Sequence, residues 1–151
     1  MSFLIERINR IVEEDLREEL LERVAIVSHK IKFMEKVPVI CLDATHQPNK
    51  AIDNLLELAG AQVVSSTALA RVLIYLEAGL GLAALMGEVV PGLDQAWPAV
   101  TYNRVYLLDS ESLVTATVQN LVSKMEDLAE ILHPGSFVFG NEGKSWINFG
   151  A

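Results

Sequence analysis

The chain has one cysteine among its 151 residues, so no internal disulfide can staple it. That residue, Cys41, sits in the apolar run VPVICLDA, which marks it as a small buried hydrophobe. Basic residues are scarce, with 12 Lys and Arg against 20 Asp and Glu and a formal charge of −8. Such a balance leaves no basic stripe to follow a phosphate backbone, so nucleic acid is not an expected partner. No stretch approaches the roughly 18 apolar residues of a membrane span. The start, MSFLIERINRIVEEDLREE, lacks the basic head, continuous apolar core and small-residue cleavage site of a secretory signal. With Met1 as the natural start, the expected location is the cytoplasm.

Catalytic and metal-binding patterns are also missing. None of His29, His46 and His133 has a second His, Cys or carboxylate at a spacing typical of zinc ligands, so no metal site is expected. There is no Ser-His-Asp or Cys-His order with a supporting nucleophile elbow, and no carboxylate pair spaced for acid/base work. No catalytic residue is therefore assigned, and the chain is not expected to be an enzyme.

Apolar residues make up 51% of the chain, enough for one domain with a real core. Leu4, Ile8, Ile11, Leu16, Leu20, Val24, Val27 and Ile31 recur at near-helical spacing, predicting one long helix, or two joined at EEDLREE, over residues 1–36. The acidic cluster Glu13, Glu14, Asp15, Glu18 and Glu19 reads as its solvated face. From residue 37 to 151 strand-like runs alternate with helical ones. VPVICLD, AQVVSS, RVLIYLEAG and RVYLLD read as strands, with helices over 49–59 closed by Gly60, over LGLAALMGEVV stopped by Pro91, and from about Ser112 to Leu132. This pattern predicts an α/β fold, a three-layer Rossmann-like domain with about four mainly parallel strands preceded by a long N-terminal helix. The tail GSFVFGNEGKSWINFGA is expected to add an edge strand or drape over the surface.

Two glycine motifs invite a phosphate-binding reading. Gly79-Leu-Gly81-Leu-Ala-Ala84 follows a strand and opens a helix, formally fitting G-x-G-x-x-G/A, with Asp109 ending the next strand. The competing reading is that small residues here let the helix approach the sheet. GNEGKS near the C-terminus fails as a P-loop, because its first glycine would fall on Val138. His46 follows the first strand, where open α/β sheets place ligands. His133, before Pro134, is expected to end the last helix as a cation meeting the dipole.

WPAVTYNRVYLLDSES, with Trp97, Pro98, Ala99, Val100, Arg104, Val105, Tyr106 and Asp109 in place, resembles the "lpAV-x-x-grVY-x-vD" segment of one family. That family is the helical-backbone substrate-binding proteins of ABC transporters, which capture cobalamin, iron-siderophores and haem, and the segment lies in their C-terminal lobe. LAEILHPGSF is similar to the "LA-x-llHP-x-x-F" that closes that lobe, and IDNLLELAGAQVV to the helix after its first strand, with Leu55, Leu58, Ala59 and Gly60 in register. RVLIYLEAG stands in the place of the family's "PDVIIV" strand. The first helix would match the lower part of the long helix joining the two lobes. The resemblance runs over most of residues 10 to 137 and covers only one lobe of a two-lobed clamp. Two family features have no counterpart here. SLVTATVQN stands where the family often carries "RPGPR", and in SSTALAR Ala68 stands in place of a permease-docking glutamate, so an ABC permease is not an expected partner. Relatives of this kind are usually periplasmic or extracellular.

The resemblance implies a stand-alone lobe that binds cobalamin, haem or a ferric siderophore, with a homodimer rebuilding the cleft. Expected ligand contacts lie in loops at strand C-terminal ends: Thr45, His46 and Gln47, then Glu77 and Gly79, then Ser110 and Glu111. Trp97 either stacks on a flat ligand or packs against the following strand. An apolar helix face without its partner lobe points to dimer contacts at Leu16 and Leu20. Two other functions stay open, a ligand-free interaction or assembly module and a small nucleotide-binding protein using Gly79 and Gly81.

Overall fold

A computed structural model describes residues 3–110 and 117–149. Among them, five strands form one sheet in the order β2-β1-β3-β4-β5. These are β1 (Val37–Leu42), β2 (Ala61–Val63), β3 (Val72–Tyr75), β4 (Val105–Leu108) and β5 (Trp146–Asn148). The first four are mutually parallel, with Val39 opposite Val72 and Ile74 opposite Tyr106. The tail supplies β5, which runs antiparallel along β4 with Leu107 opposite Ile147. The tail thus takes the first of its two expected placements, an extra edge strand of three residues that caps the edge β4 would otherwise expose.

Alternation along the strands sorts the core into two halves. Val39, Cys41, Val72, Ile74, Tyr106 and Leu108 face one side, where they meet helices α1 (Phe3–Asn9), α2 (Glu14–Ile31), α3 (Asp53–Leu58) and α6 (Val118–Leu132). Ile40, Leu42, Leu73, Tyr75, Val105 and Leu107 face the other, under α4 (Leu82–Val89) and the short α5 (Pro98–Thr101). Three layers result. No described helix is long and apolar enough to cross a membrane.

The N-terminal segment takes the second of its two expected forms, two helices, and the break at residues 10–13 ends on the first residue of EEDLREE. Arg17 closes that break by donating to the carbonyl of Ile11. Both helices spend their apolar stripe inside the chain's own core, where Leu4, Ile8, Leu20, Val24 and Val27 are buried. Leu20 is 0% exposed, so its side chain is used in the chain's own core, while Leu16 is half-buried against the same cluster and keeps part of its surface open. The acidic cluster Glu13, Glu14, Asp15, Glu18 and Glu19 is solvent-exposed, as a polar face should be. On the same helix Arg23 reaches α6, donating to Glu126 and to Ser123.

Helix α3 starts at Asp53, four positions later than the predicted 49, and leaves 43–52 as a loop. Pro91 sits in a 3-10 turn (Val90–Gly92) that follows α4, in keeping with its predicted role as a stop. The predicted beginning of the last helix, from Ser112 with Leu113, lies outside the described residues. Its described part starts at Thr117, whose hydroxyl accepts from the Asn120 N–H as an N-cap. At the other end His133 is buried, and its Nε2 lies 3.0 Å from the Ala59 carbonyl oxygen. Burial pushes its pKa down, with Arg104 adding to the effect against that hydrogen bond. That direction disfavours the cationic helix cap expected, because burial strips water from the charged ring.

Candidate ligand-binding site

Loops leave the sheet at the C-terminal ends of β1, β3 and β4, and hydrogen bonds knit them into one surface. After β1, Asp43 organises the turn: its Oδ1 accepts from the Thr45 N–H at 2.8 Å, the Thr45 hydroxyl at 2.7 Å and the Gln47 N–H at 3.1 Å. Partial desolvation pushes the Asp43 carboxyl up, but these donors outweigh it and hold the group below its ordinary pKa. Thr45 and Gln47 are thereby presented at the tip of a fixed loop, both exposed. Glu77, after β3, accepts from the Ala44 N–H at 3.3 Å, and Asn49 donates its amide to the Leu76 carbonyl at 2.9 Å. Ser110, after β4, is buried and donates to the Leu80 carbonyl at 3.2 Å. It joins two loops and turns its hydroxyl away from solvent.

His46 is held in a left-handed conformation at φ 62°, and its ring points inward. Its Nδ1 lies 2.8 Å from the Tyr75 hydroxyl, with the two rings edge to face at 5.2 Å. Tyr75 is wholly buried and burial raises its pKa, so the phenol keeps its proton. Gly92 lies so close that a Cβ there would fall 2.2 Å from His46 Nε2, an atom out of water and without a partner. His46 therefore shapes the loop from beneath, with both ring nitrogens turned inward. Trp97 packs beside it at 6.0 Å between centroids, half-buried against the α4 and α5 side of the core.

Gly79 is exposed with φ 85°, a left-handed backbone that favours glycine. A Cβ at Gly79 or Gly81 would meet nothing within 4 Å, so neither is small for the sake of bringing α4 onto the sheet. Glu111 lies outside the described residues.

Sequence reasoning missed a cleft of about 500 Å³ on the β1 and β2 side of this surface. Asn49, Lys50 and Asp53 line it with Pro48, Val64 and Ser65, over a floor of Ile40 and Cys41. Burial lifts the Asp53 carboxyl above its ordinary pKa, with Lys50 opposing and Glu57 adding to the shift. Burial also raises the Cys41 pKa, helped by Asp53 and Asp43, so this residue is a thiol and no nucleophile. The usable signal was the length of the β1–α3 connection, long for a βα loop and placed where such folds bind ligands.

No cluster of three or more His, Cys, Asp or Glu able to hold a metal ion occurs among the described residues. The surface offers polar loop tips, an indole edge and a mixed-charge cleft, a set suited to holding a bulky molecule from one side.

No family model matches the sequence, and no curated protein matches it. Solved structures match in fold. An ABC-transporter substrate-binding protein from Listeria monocytogenes EGD-e superposes with a TM-score of 0.62 at 16% identity, over 79% of this chain and 57% of that one. This is the fold of one lobe of an ABC-transporter substrate-binding protein. A periplasmic haem-binding protein from Pseudomonas aeruginosa gives 0.56 at 18% identity over 80% and 51% of the two chains. FepB, a TroA-like periplasmic binding protein from Veillonella parvula, gives 0.59 at 15% over 82% and 48%. The chain spans about half the length of the binding proteins it matches.

Proposed function

We propose that this chain is a non-catalytic recognition lobe for a metal chelate of the haem, ferric-siderophore or cobalamin kind. The loops after β1, β3 and β4 hold one side of the ligand, and a second copy of the chain closes over the other. The observation that carries this reading is the hydrogen-bonded union of those three loops at the sheet's C-terminal end, in a fold shared with chelate-binding proteins. Binding sites bury roughly 70–90% of a small ligand. A single lobe with open loop tips covers one face of a flat or globular chelate, which is why a second lobe is part of the reading. Thr45 and Gln47 contact the ligand's polar periphery, Glu77 fixes the β1 loop, and the Trp97 indole supplies an apolar edge.

The test is calorimetric titration of the full chain with haemin, cyanocobalamin and ferrichrome. Binding of at least one, weakened tenfold or more in a Thr45→Trp/Gln47→Trp double variant, supports the assignment. Binding that ignores those changes would move the site elsewhere, and absence of binding by all three would overturn the reading.

A further inference from the structure

The opposite end of the sheet carries a groove that chelate recognition does not use. Its volume is about 610 Å³, and it lies where β1 and β3 begin and Arg104 leads into β4. Val72 and Leu132 form an apolar floor, while Leu69 and Tyr102 stand at the rim, 64% and 76% exposed. Tyr and Arg are among the types that dominate interface energetics.

Charge selects the occupant. In a chain with a formal charge of −8, the described residues that line the groove include Arg71 and Arg104 and no acidic residue. The two arginines differ. Arg104 is fixed, donating to the Ile131 carbonyl at 2.9 Å with its guanidinium over the Tyr106 ring. Arg71 is exposed and makes no side-chain hydrogen bond or ion pair among the described residues. Its backbone is nonetheless pinned, because its N–H donates to the Pro38 carbonyl at 2.9 Å. A guanidinium on a fixed backbone beside an apolar trough is a ready hydrogen-bond donor to a carboxylate flanked by a large apolar side chain.

We propose that this groove docks a segment of a partner protein that presents an Asp or Glu next to a Leu, Phe or Trp. The apolar side chain lies on Val72 and Leu132 between Leu69 and Tyr102, and the carboxylate pairs with Arg71. Leu69 also borders the cleft on the β1 and β2 side, so the two surfaces adjoin along the 64–71 segment without sharing a charged residue.

The experiment is selection of a phage-displayed library of random 12-residue peptides on the full chain, followed by affinity measurement with the enriched peptides made synthetically. Enriched sequences should share an acidic residue within two positions of a large apolar one. Their affinity should fall at least tenfold in Arg71→Glu and in Tyr102→Ala and be unchanged in Arg10→Glu, a charge reversal at an exposed site away from the groove. All three positions are exposed, so the variants should keep the parent's thermal midpoint. Enrichment of peptides without an acidic residue, affinities indifferent to Arg71→Glu and Tyr102→Ala, or no enrichment would each overturn the proposal. Concentration-dependent self-association that Arg71→Glu abolishes would also overturn it, by giving the groove to a second copy of this chain.

Discussion

Gly60→Ala should be among the most damaging single-methyl additions to this protein. Gly60 joins α3 to β2 with φ at 99°, and holding an L-residue in left-handed backbone costs about 1–2 kcal/mol. An added Cβ would stand 2.7 Å from His133 Nε2 and 3.3 Å from Ile31 Cδ1. The imidazole must then swing away from the Ala59 carbonyl, forfeiting a hydrogen bond worth about 0.5–1.5 kcal/mol net. With some repacking against Ile31 the sum is about 2–4 kcal/mol. Taking a urea m-value of about 2 kcal/mol/M, the unfolding midpoint should drop by about 1–2 M. In a His133→Ala background the collision with the imidazole and the hydrogen-bond loss disappear, so the same change should there cost less, about 1–2 kcal/mol for the backbone plus the repacking against Ile31. A midpoint shift below about 0.3 M, or equal costs in both backgrounds, would refute the reasoning.

Other consequences can be checked on the same protein. Leu20→Ala, made in the wholly buried core of α2, should cost about 2–5 kcal/mol in urea unfolding, and Leu20→Glu should unfold the chain rather than dissociate an oligomer. Thr117→Ala removes the N-cap of α6 and should cost about 1 kcal/mol in the same assay. Cys41, 2% exposed with its pKa raised by burial, should resist a thiol reagent at pH 8 in the native protein and react promptly in urea. His133 binds a proton less readily folded than unfolded, so its contribution to stability is present above its unfolded pKa of about 6.5 and is lost as pH falls below it. Thermal midpoints from pH 8 to pH 5 should therefore fall more steeply for the parent than for His133→Gln.

The strands that build the centre of the sheet were legible because both faces of β3 and β4 are buried, leaving unbroken runs such as VLIY and VYLL. Pro91 and Gly60 marked helix ends by backbone chemistry alone. Residues 49–52 looked helical because Ala51 and Ile52 continue the spacing of Leu55 and Leu56. What keeps them out of the helix is the Asn49 amide bonded to Leu76 on a neighbouring strand, a long-range contact that no local pattern encodes. The inward turn of His46 depends likewise on Tyr75, adjacent only once β1 and β3 pair.

Lys124 and Asp127 on α6 gave no sequence signal of burial, since charged residues on an amphipathic helix read as its wet side. Both are buried because the tail folds back over them, with Asn141 and Ser145 donating to the Asp127 carboxylate. Burial lowers the pKa of Lys124, against the pull of Asp127 and Asp109. In the candidate site, position at strand ends was readable from the order of elements, whereas which side chains face outward was decided by the loop-to-loop hydrogen bonds.

The most direct measurement is native mass spectrometry of the purified full chain, alone and after addition of haemin, cyanocobalamin or ferrichrome. Chelate recognition between two lobes calls for a species of two chains carrying one ligand, formed only when the ligand is present or stabilised by it. A chain whose mass and oligomeric state are unchanged by all three would contradict it.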